Sequence, residues 1–382
     1  MNDEELRLEV INLIRSRREG DYWDFKQEHH SNLGDLLHDI ICMANNRVDR
    51  DAYIIYGIND STFEIIGTQD SDNRKTQQNI IDFLRDKSFA GGVRPIVELR
   101  TLNIESREID VLVVKNTNDT PYYLTNSYQG VFANQIYTRV RDTNTPKTGN
   151  ADINHIEELW KKRFMLNRTP LQRIEHKLGD FNDWIREGEY YYNIYNPEYR
   201  LELMEEDEER SIAEFYSYKM TNETTAYQEL QIKYYDTRLH TMHLVYLDSY
   251  RLVVPIPSVG FIKDCNDRVI QEYLFKYYIR GTFDFKMLEF LIEKQSYDYE
   301  EALINLNEII LTFNSIIEKD NFINFIEERL EELEAIINSD DECYDSIIVN
   351  DGIDIDVIIR KLKVGKALNG MLNNFRGIDI EQ

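Results

Sequence analysis

Residues 18–26 read REGDYWDFK, and the reading of this stretch decides how the first part of the chain folds. It follows a run, Asp3 to Arg17, in which Leu6, Val10, Leu13 and Ile14 recur at helical spacing. If Tyr22 to Lys26 is a strand, alternation sends Trp23 and Phe25 to one face and Tyr22, Asp24 and Lys26 to the other. The aromatic face needs a core. The second face carries charge, and the residues alone leave two readings of it: a solvated strand surface, or one wall of a site.

Outward from this stretch, helical and strand periods alternate. SNLGDLLHDIICMANN opens on a Ser31 or Asn32 cap and places Leu33, Leu36, Leu37, Ile40, Ile41 and Ala44 on one helical face. AYIIYGIND reads as an apolar strand ending in a turn at Asn59-Asp60-Ser61, with FEIIG as its hairpin partner. NRKTQQNIIDFLRDK is a further helix, and RPIVELRTLNI and REIDVLVVKN are two strands across a polar turn. PYYLT and NQIYTRV read as strands that close the sheet, and ADINHIEELWKKRF as a helix after an Asp152 or Asn154 cap.

The expected organisation is an N-terminal α+β or α/β domain with a mixed sheet over residues 1–168. A mixed α+β segment follows over 169–260, and a mostly α-helical acidic domain over 261–382. In the last part VIQEYLFKYYI, KMLEFLIEK, YEEALINLNEIILTFNSIIEK and FINFIEERLEELEAII show apolar residues three and four apart.

Charge is divided unevenly. The whole chain carries −26, but residues 1–170 hold 22 Lys and Arg against 27 Asp and Glu, and the remainder 22 against 43. The excess acid is therefore C-terminal, and a local basic groove in the first part is compatible with the total. No run of about 18 apolar residues occurs, and MNDEELRLEV is acidic where a signal peptide is basic and then apolar, so a cytoplasmic protein is expected. Cys42, Cys265 and Cys343 are few and far apart, which suggests idle thiols. His29, His30, His38, His240 and His243 lack zinc-ligand spacing, and no phosphate-binding glycine loop or nucleophile elbow is present.

Phosphodiester hydrolysis needs oxygen ligands for Mg²⁺ or Mn²⁺. Glu19 before the first strand, Asp24 on its charged face and Asp60 at the end of the next strand are the candidate ligands. Lys26, two residues from Asp24, is placed to stabilise phosphate charge. Candidate phosphate contacts are Arg139 and Arg141, which alternate onto one face of the IYTRVR strand, with Lys147 and the Lys161-Lys162-Arg163 triplet. The triplet equally suits a helix C-terminus compensating its dipole.

The combination E-x4-D-F-K, a helix ending in Ala-Asn, YIIYGINDSTFEIIG, Pro121-Tyr122-Tyr123 and IYTRVRDTNTP through ELWKKRF resembles the Schlafen-like, AlbA-type domain family over roughly residues 1–165. The resemblance implies nucleic-acid binding. In its nuclease members it implies a metal-dependent site of three acids, which fall here on Glu19, Asp24 and Asp60. RNA, in particular tRNA, is the substrate class it suggests, and an antiphage or toxin role the biological setting. The family's Gly-Gly before the apolar strand is replaced here by NNRVDRDA, so the loop beside Asp60 departs from the pattern. A DNA-binding regulator without catalysis is the alternative, with the C-terminal helices serving an oligomer or a protein partner.

Overall fold

The computed structural model describes residues 3–69, 71–206, 213–264, 266, 268–295, 298–340 and 354–377. The chain divides into two compact units, residues 1–167 and 168–382. The second unit joins the middle and C-terminal segments that the sequence reading parted near 260.

In the first unit the elements are α1 (Asp3–Arg15), β1 (Trp23–Lys26), α2 (Leu33–Ala44), β2 (Ala52–Tyr56), α3 (Gln77–Arg85), β3 (Val97–Ile104), β4 (Arg107–Val114), β5 (Arg139–Val140), β6 (Thr143–Asn144) and α4 (Ile153–Arg163). The main sheet has the order β1-β2-β4-β3. β1 runs parallel to β2, with Asp24 opposite Ile54 and Lys26 opposite Tyr56, and the other pairings are antiparallel. β1 is thus an edge strand.

Alternation holds as expected and divides the core in two. Trp23 and Phe25 pack with Tyr53, Ile55, Val111 and Val113 under Leu6, Val10 and Leu13 of α1. On the opposite face Ile54, Tyr56, Leu112 and Val114 pack against α2 and α3. Three acids in the first turn of α1 and Asn32 as the N-cap of α2 satisfy the helix starts.

Two expected strand regions are different. FEIIG contributes a single bridge, Ile58 to Ile65, and the PYYLT and NQIYTRV stretches yield one bridge, Phe89 to Leu124, and the two-residue strand β5. For PYYLT and NQIYTRV the reason lies in Asn45, fully buried at the end of α2. Its side-chain amide donates to the carbonyls of Tyr122 (2.8 Å) and Tyr137 (2.9 Å), and its oxygen accepts the Tyr122 N–H at 2.7 Å. Backbone groups that a ladder would pair are held by one side chain instead.

The second unit contains α5 (Pro170–Lys177), β7 (Trp184–Glu187), β8 (Tyr190–Asn193), β9 (Asn196–Glu206), β10 (Ala226–Tyr234), β11 (Thr237–Leu247), β12 (Leu252–Pro255), β13 (Ser258–Gly260), β14 (Phe275–Ile279), α6 (Phe283–Lys294), α7 (Glu300–Ile309), β15 (Leu311–Phe313), α8 (Ile316–Glu327), α9 (Leu330–Ser339) and α10 (Ile355–Phe375). β7 to β12 form a six-stranded antiparallel sheet in the order β12-β11-β10-β9-β8-β7. β13, β14 and β15 form a smaller one. The expectation of nearly continuous helix after 264 is therefore corrected at two places. Phe275 to Ile279 and Leu311 to Phe313 are strands, and their buried Phe275, Leu311 and Phe313 meet α8, α9 and α10. Runs rich in aromatic and β-branched residues carry apolar residues at both periods, and pairing in a sheet decided between them. Cys42 is buried; Cys265 and Cys343 lie outside the described residues. Among the described residues no helix is long and apolar enough to cross a membrane.

Candidate nucleic-acid interface and acidic site

The E-x4-D spacing works because the chain folds back on itself. Gly20 bridges to Trp23, whose indole lies against it so closely that a Cβ at Gly20 would stand 2.2 Å from the ring, and the Trp23 indole N–H donates to the Arg18 carbonyl at 2.9 Å. This turn returns Glu19 to β1, where one carboxylate oxygen accepts the Phe25 N–H at 3.1 Å.

Glu19 and Asp24 then converge on one nitrogen. Arg139 Nη2 lies 2.9 Å from Glu19 Oε2 and 3.0 Å from Asp24 Oδ1. The rest of that guanidinium is also committed, with Nε donating to the Gly20 carbonyl (2.8 Å) and Nη1 to Asn144 Oδ1 (3.0 Å). Lys26 Nζ stands 2.5 Å from Asp24 Oδ2 and 3.8 Å from Asp39 Oδ2 on α2. Asn144 donates to the other Asp39 oxygen at 2.8 Å, and His30 closes the network through Asp39 (2.8 Å) and the Tyr56 hydroxyl (3.2 Å). The second face of β1 is therefore neither wet nor apolar. It is an ion-paired cluster in which Asp24 is 2% exposed, while Lys26 and Glu19 reach the surface.

These surroundings set the proton affinities. Burial first, and then the Asp24 charge, push the Glu19 carboxyl up to about 7. Burial works against the charge on Asp39, but hydrogen bonds from His30 and His38 and the Lys26 charge outweigh it and hold that carboxyl well below the usual range. For Lys26, desolvation favours loss of the proton, and Asp24 with Asp39 reverse the balance and raise its pKa. Lys26 is a permanent cation here.

The remaining candidates scatter. Asp60 lies exposed in its turn, accepting from the Ser61 hydroxyl at 3.2 Å. The structure does not bring it to Glu19 and Asp24, and among the described residues no three His, Cys, Asp or Glu side chains gather as a metal-holding group. Arg139 is 2% exposed and serves the acids, so it is not available to a phosphate backbone. Arg141 does not share its strand face. It falls in the turn between β5 and β6 with φ of 57°, exposed, its N–H donating to Asp21 Oδ1 at 2.6 Å. Lys147 pairs with Asp35 (2.5 Å) and Lys161 with Glu158 (2.8 Å); buried Lys162 donates to Asn116 (2.5 Å) and Arg163 to the Asp119 carbonyl (2.7 Å). The basic triplet mainly fixes the end of α4.

Other arginines take the exposed positions. Arg17 and Arg18 lie just before Glu19, and Arg47 lines a polar cleft of about 390 Å³ with Asp21, Asp49 and Lys162. Arg47 and Arg141 thus both lie by Asp21. None of Arg17, Arg18, Arg47 and Arg141 forms an ion pair among the described residues. The sequence signal for them was adjacency to Glu19 for two of the four; nothing in the sequence placed Arg47 or His30 beside this region.

Comparison with known proteins agrees with the motifs. Residues 19–148 match the family model described as Schlafen, AlbA_2. The N-terminal unit carries a Schlafen-like, AlbA-type domain. No curated protein matches the chain. A crystal structure of the DIP2311 protein from Corynebacterium diphtheriae aligns at 22% identity and a TM-score of 0.24, over 37% of this chain and 31% of that one. The chain thus spans about a third of that protein, and the likeness carries no argument. The family indicates nucleic acid as the partner of the Schlafen-like domain.

Proposed function

We propose that this domain is a divalent-metal-dependent endoribonuclease acting on structured RNA, with tRNA as the substrate class. The observation that supports the reading best is the convergence of Glu19 and Asp24 on one Arg139 nitrogen with the Lys26 ammonium beside them. A carboxylate on an edge strand, a second from the turn before it and a cation at the mouth suit phosphoryl chemistry. The preference for RNA rests on the family resemblance.

The donor set fits Mg²⁺ or Mn²⁺ through two residues. Asp24 Oδ2 is buried with the Lys26 ammonium against it, and Glu19 adds a partly exposed carboxylate. Mg²⁺ characteristically takes one or two carboxylates and completes its shell with water and substrate phosphate, so Asp60 is not required. Bound there, the ion would supply Lewis-acid stabilisation of the phosphoryl oxygens and a water of lowered pKa.

The protein's own contribution follows from charge. With Glu19, Asp24 and Asp39 ionised against Arg139 and Lys26, the cluster carries one net negative charge before any charge on His30, so a dication takes it past neutrality. A dication added alone would leave a partly buried excess of positive charge, which is costly. A phosphate supplies the missing negative charge, and Lys26, a third exposed, can leave Asp24 for a phosphoryl oxygen. Arg139 stays in place and holds the two carboxylates together. Arg17, Arg18, Arg47 and Arg141 then take the flanking backbone, and the acidic second unit serves a protein partner or a second copy. In a cell this activity suits antiphage defence or a toxin.

The full engagement of Arg139 with both acids favours a second reading, a nucleic-acid-binding regulator in which the cluster is structural. Incubation with total tRNA and with single- and double-stranded DNA, in Mn²⁺ and in EDTA, beside Glu19→Gln, separates them. Metal-dependent cleavage of tRNA lost in a folded Glu19→Gln variant supports the nuclease. Salt-sensitive binding without cleavage supports the regulator.

A further inference from the structure

The second unit carries the acid excess of the chain, yet one of its cavities is lined by cations and tyrosines without a carboxylate. It has a volume of about 220 Å³ and lies between the six-stranded sheet and the end of α6. Arg186 on β7 stands opposite Tyr191 on β8, its guanidinium 5.7 Å from that ring. Arg251 precedes β12, and Tyr246 on β11 has its ring 5.3 Å from that of Tyr250. Lys294 comes from the last turn of α6.

The cations are held with little compensation. Lys294 Nζ donates to the Trp184 carbonyl at 2.7 Å and forms no ion pair among the described residues. Burial lowers its pKa, and the neighbouring Glu293 charge opposes this only in part. Arg251 reaches Asp248 at 3.4 Å, but that carboxylate is buried and also accepts the Asn222 N–H. Arg186 has Glu189 at 3.8 Å. A helix C-terminus welcomes a lysine, but Lys294 is spent on a carbonyl of another element. Three cations facing one concave space in a strongly acidic unit favour an anion there, and the paired tyrosines offer a flat surface to a ring.

We infer that this cavity, lined by Arg186, Arg251, Lys294, Tyr191, Tyr246 and Tyr250, binds a small phosphate monoester carried on a ring, of the sugar phosphate or nucleoside monophosphate class. Phosphate monoesters are chosen over carboxylates because two guanidinium forks and an ammonium match their several charged oxygens. The volume holds the phosphate and an adjoining ring. The site is independent of the acidic cluster of the first unit.

Calorimetric titration of the full chain at low ionic strength with inorganic phosphate, inorganic sulfate, ribose 5-phosphate, AMP and adenosine tests this. Expected is saturable binding of AMP or ribose 5-phosphate, with phosphate and sulfate weaker and adenosine silent. Binding of both esters identifies the sugar phosphate as sufficient, and binding of AMP alone adds the base; either supports the assignment. Arg186→Gln and Arg251→Gln, both half-exposed and tolerable to the fold, are expected to raise Kd by about tenfold or more. Lys26→Gln, in the first unit, is expected to leave it unchanged. No saturable ester binding, affinity unchanged by both arginine substitutions, or loss in Lys26→Gln instead would overturn the inference.

Discussion

Arg139→Met distinguishes the structural account of this residue from the phosphate-contact role that its strand pattern first suggested. The guanidinium is 2% exposed and its three nitrogens are tied to Gly20, Asn144, Glu19 and Asp24. Removing one partner of a buried ionic group costs about 3–5 kcal/mol, because the other charge stays behind. In a unit of this length each kcal/mol moves the melting temperature by about 2–4 °C, so a fall of roughly 6–20 °C is expected. The loss should be smaller at pH 5.5 than at pH 8, since Glu19 can then take a proton in place of the lost cation. Arg141→Met, at an exposed turn, should stay within about 0.5 kcal/mol. Urea unfolding of the three proteins at both pH values gives the numbers. A loss below about 1 kcal/mol in Arg139→Met, or an equal loss in Arg141→Met, would show that the buried guanidinium does not hold this network together.

Further outcomes follow from the same geometry. Because the Glu19 carboxyl lies higher in the folded state, at about 7, than its ordinary 4.5, the folded state holds more protons between these values and stability falls as pH rises through that window. Glu19→Gln should flatten this slope in pH-dependent melts. Cleavage should rise with pH as Glu19 ionises, with a midpoint below that of the metal-free protein, because a bound dication favours the carboxylate. Gly20→Ala places a Cβ 2.2 Å from the Trp23 indole and should separate Glu19 from Asp24, lowering both stability and cleavage, with indole fluorescence reporting the displaced ring. Replacing Arg17, Arg18 and Arg141 together by alanine should reduce the slope of log affinity against log salt for single-stranded RNA by about 2, without altering stability. An unchanged slope would remove those arginines from the interface.

Much of the first unit was legible because its signals were local. The alternation of Trp23, Asp24, Phe25 and Lys26 placed a core on one side of β1 and charge on the other, and the spacing of Leu36, Leu37, Ile40 and Ile41 marked α2. The family motif named Glu19 and Asp24, and the structure brings them together. What escaped depended on contacts distant in sequence. Arg139 meets Glu19 across 120 positions, and Asn45 reaches Tyr122 and Tyr137 across 77 and 92, replacing ladder pairs that short strand patterns implied. Lys162 in a basic triplet is buried on Asn116, whereas Arg47, in a stretch read only as a departure from the family pattern, is exposed beside Asp21. In the second unit Phe275 to Ile279 satisfied a helical apolar pattern and became a strand, because its pairing with β13 and β15 is invisible to a local window.

We propose that Glu19 and Asp24, with Lys26, form a phosphodiester-cleaving site to which the Asp60 turn does not contribute. Single-turnover cleavage of tRNA in Mn²⁺ by Asp24→Asn and by Asp60→Ala, each first shown to melt cooperatively, tests it in one experiment. Cleavage is expected to be abolished in Asp24→Asn and to stay close to the parent rate in Asp60→Ala. Full activity in a folded Asp24→Asn protein, or its loss in Asp60→Ala alone, would contradict the proposal.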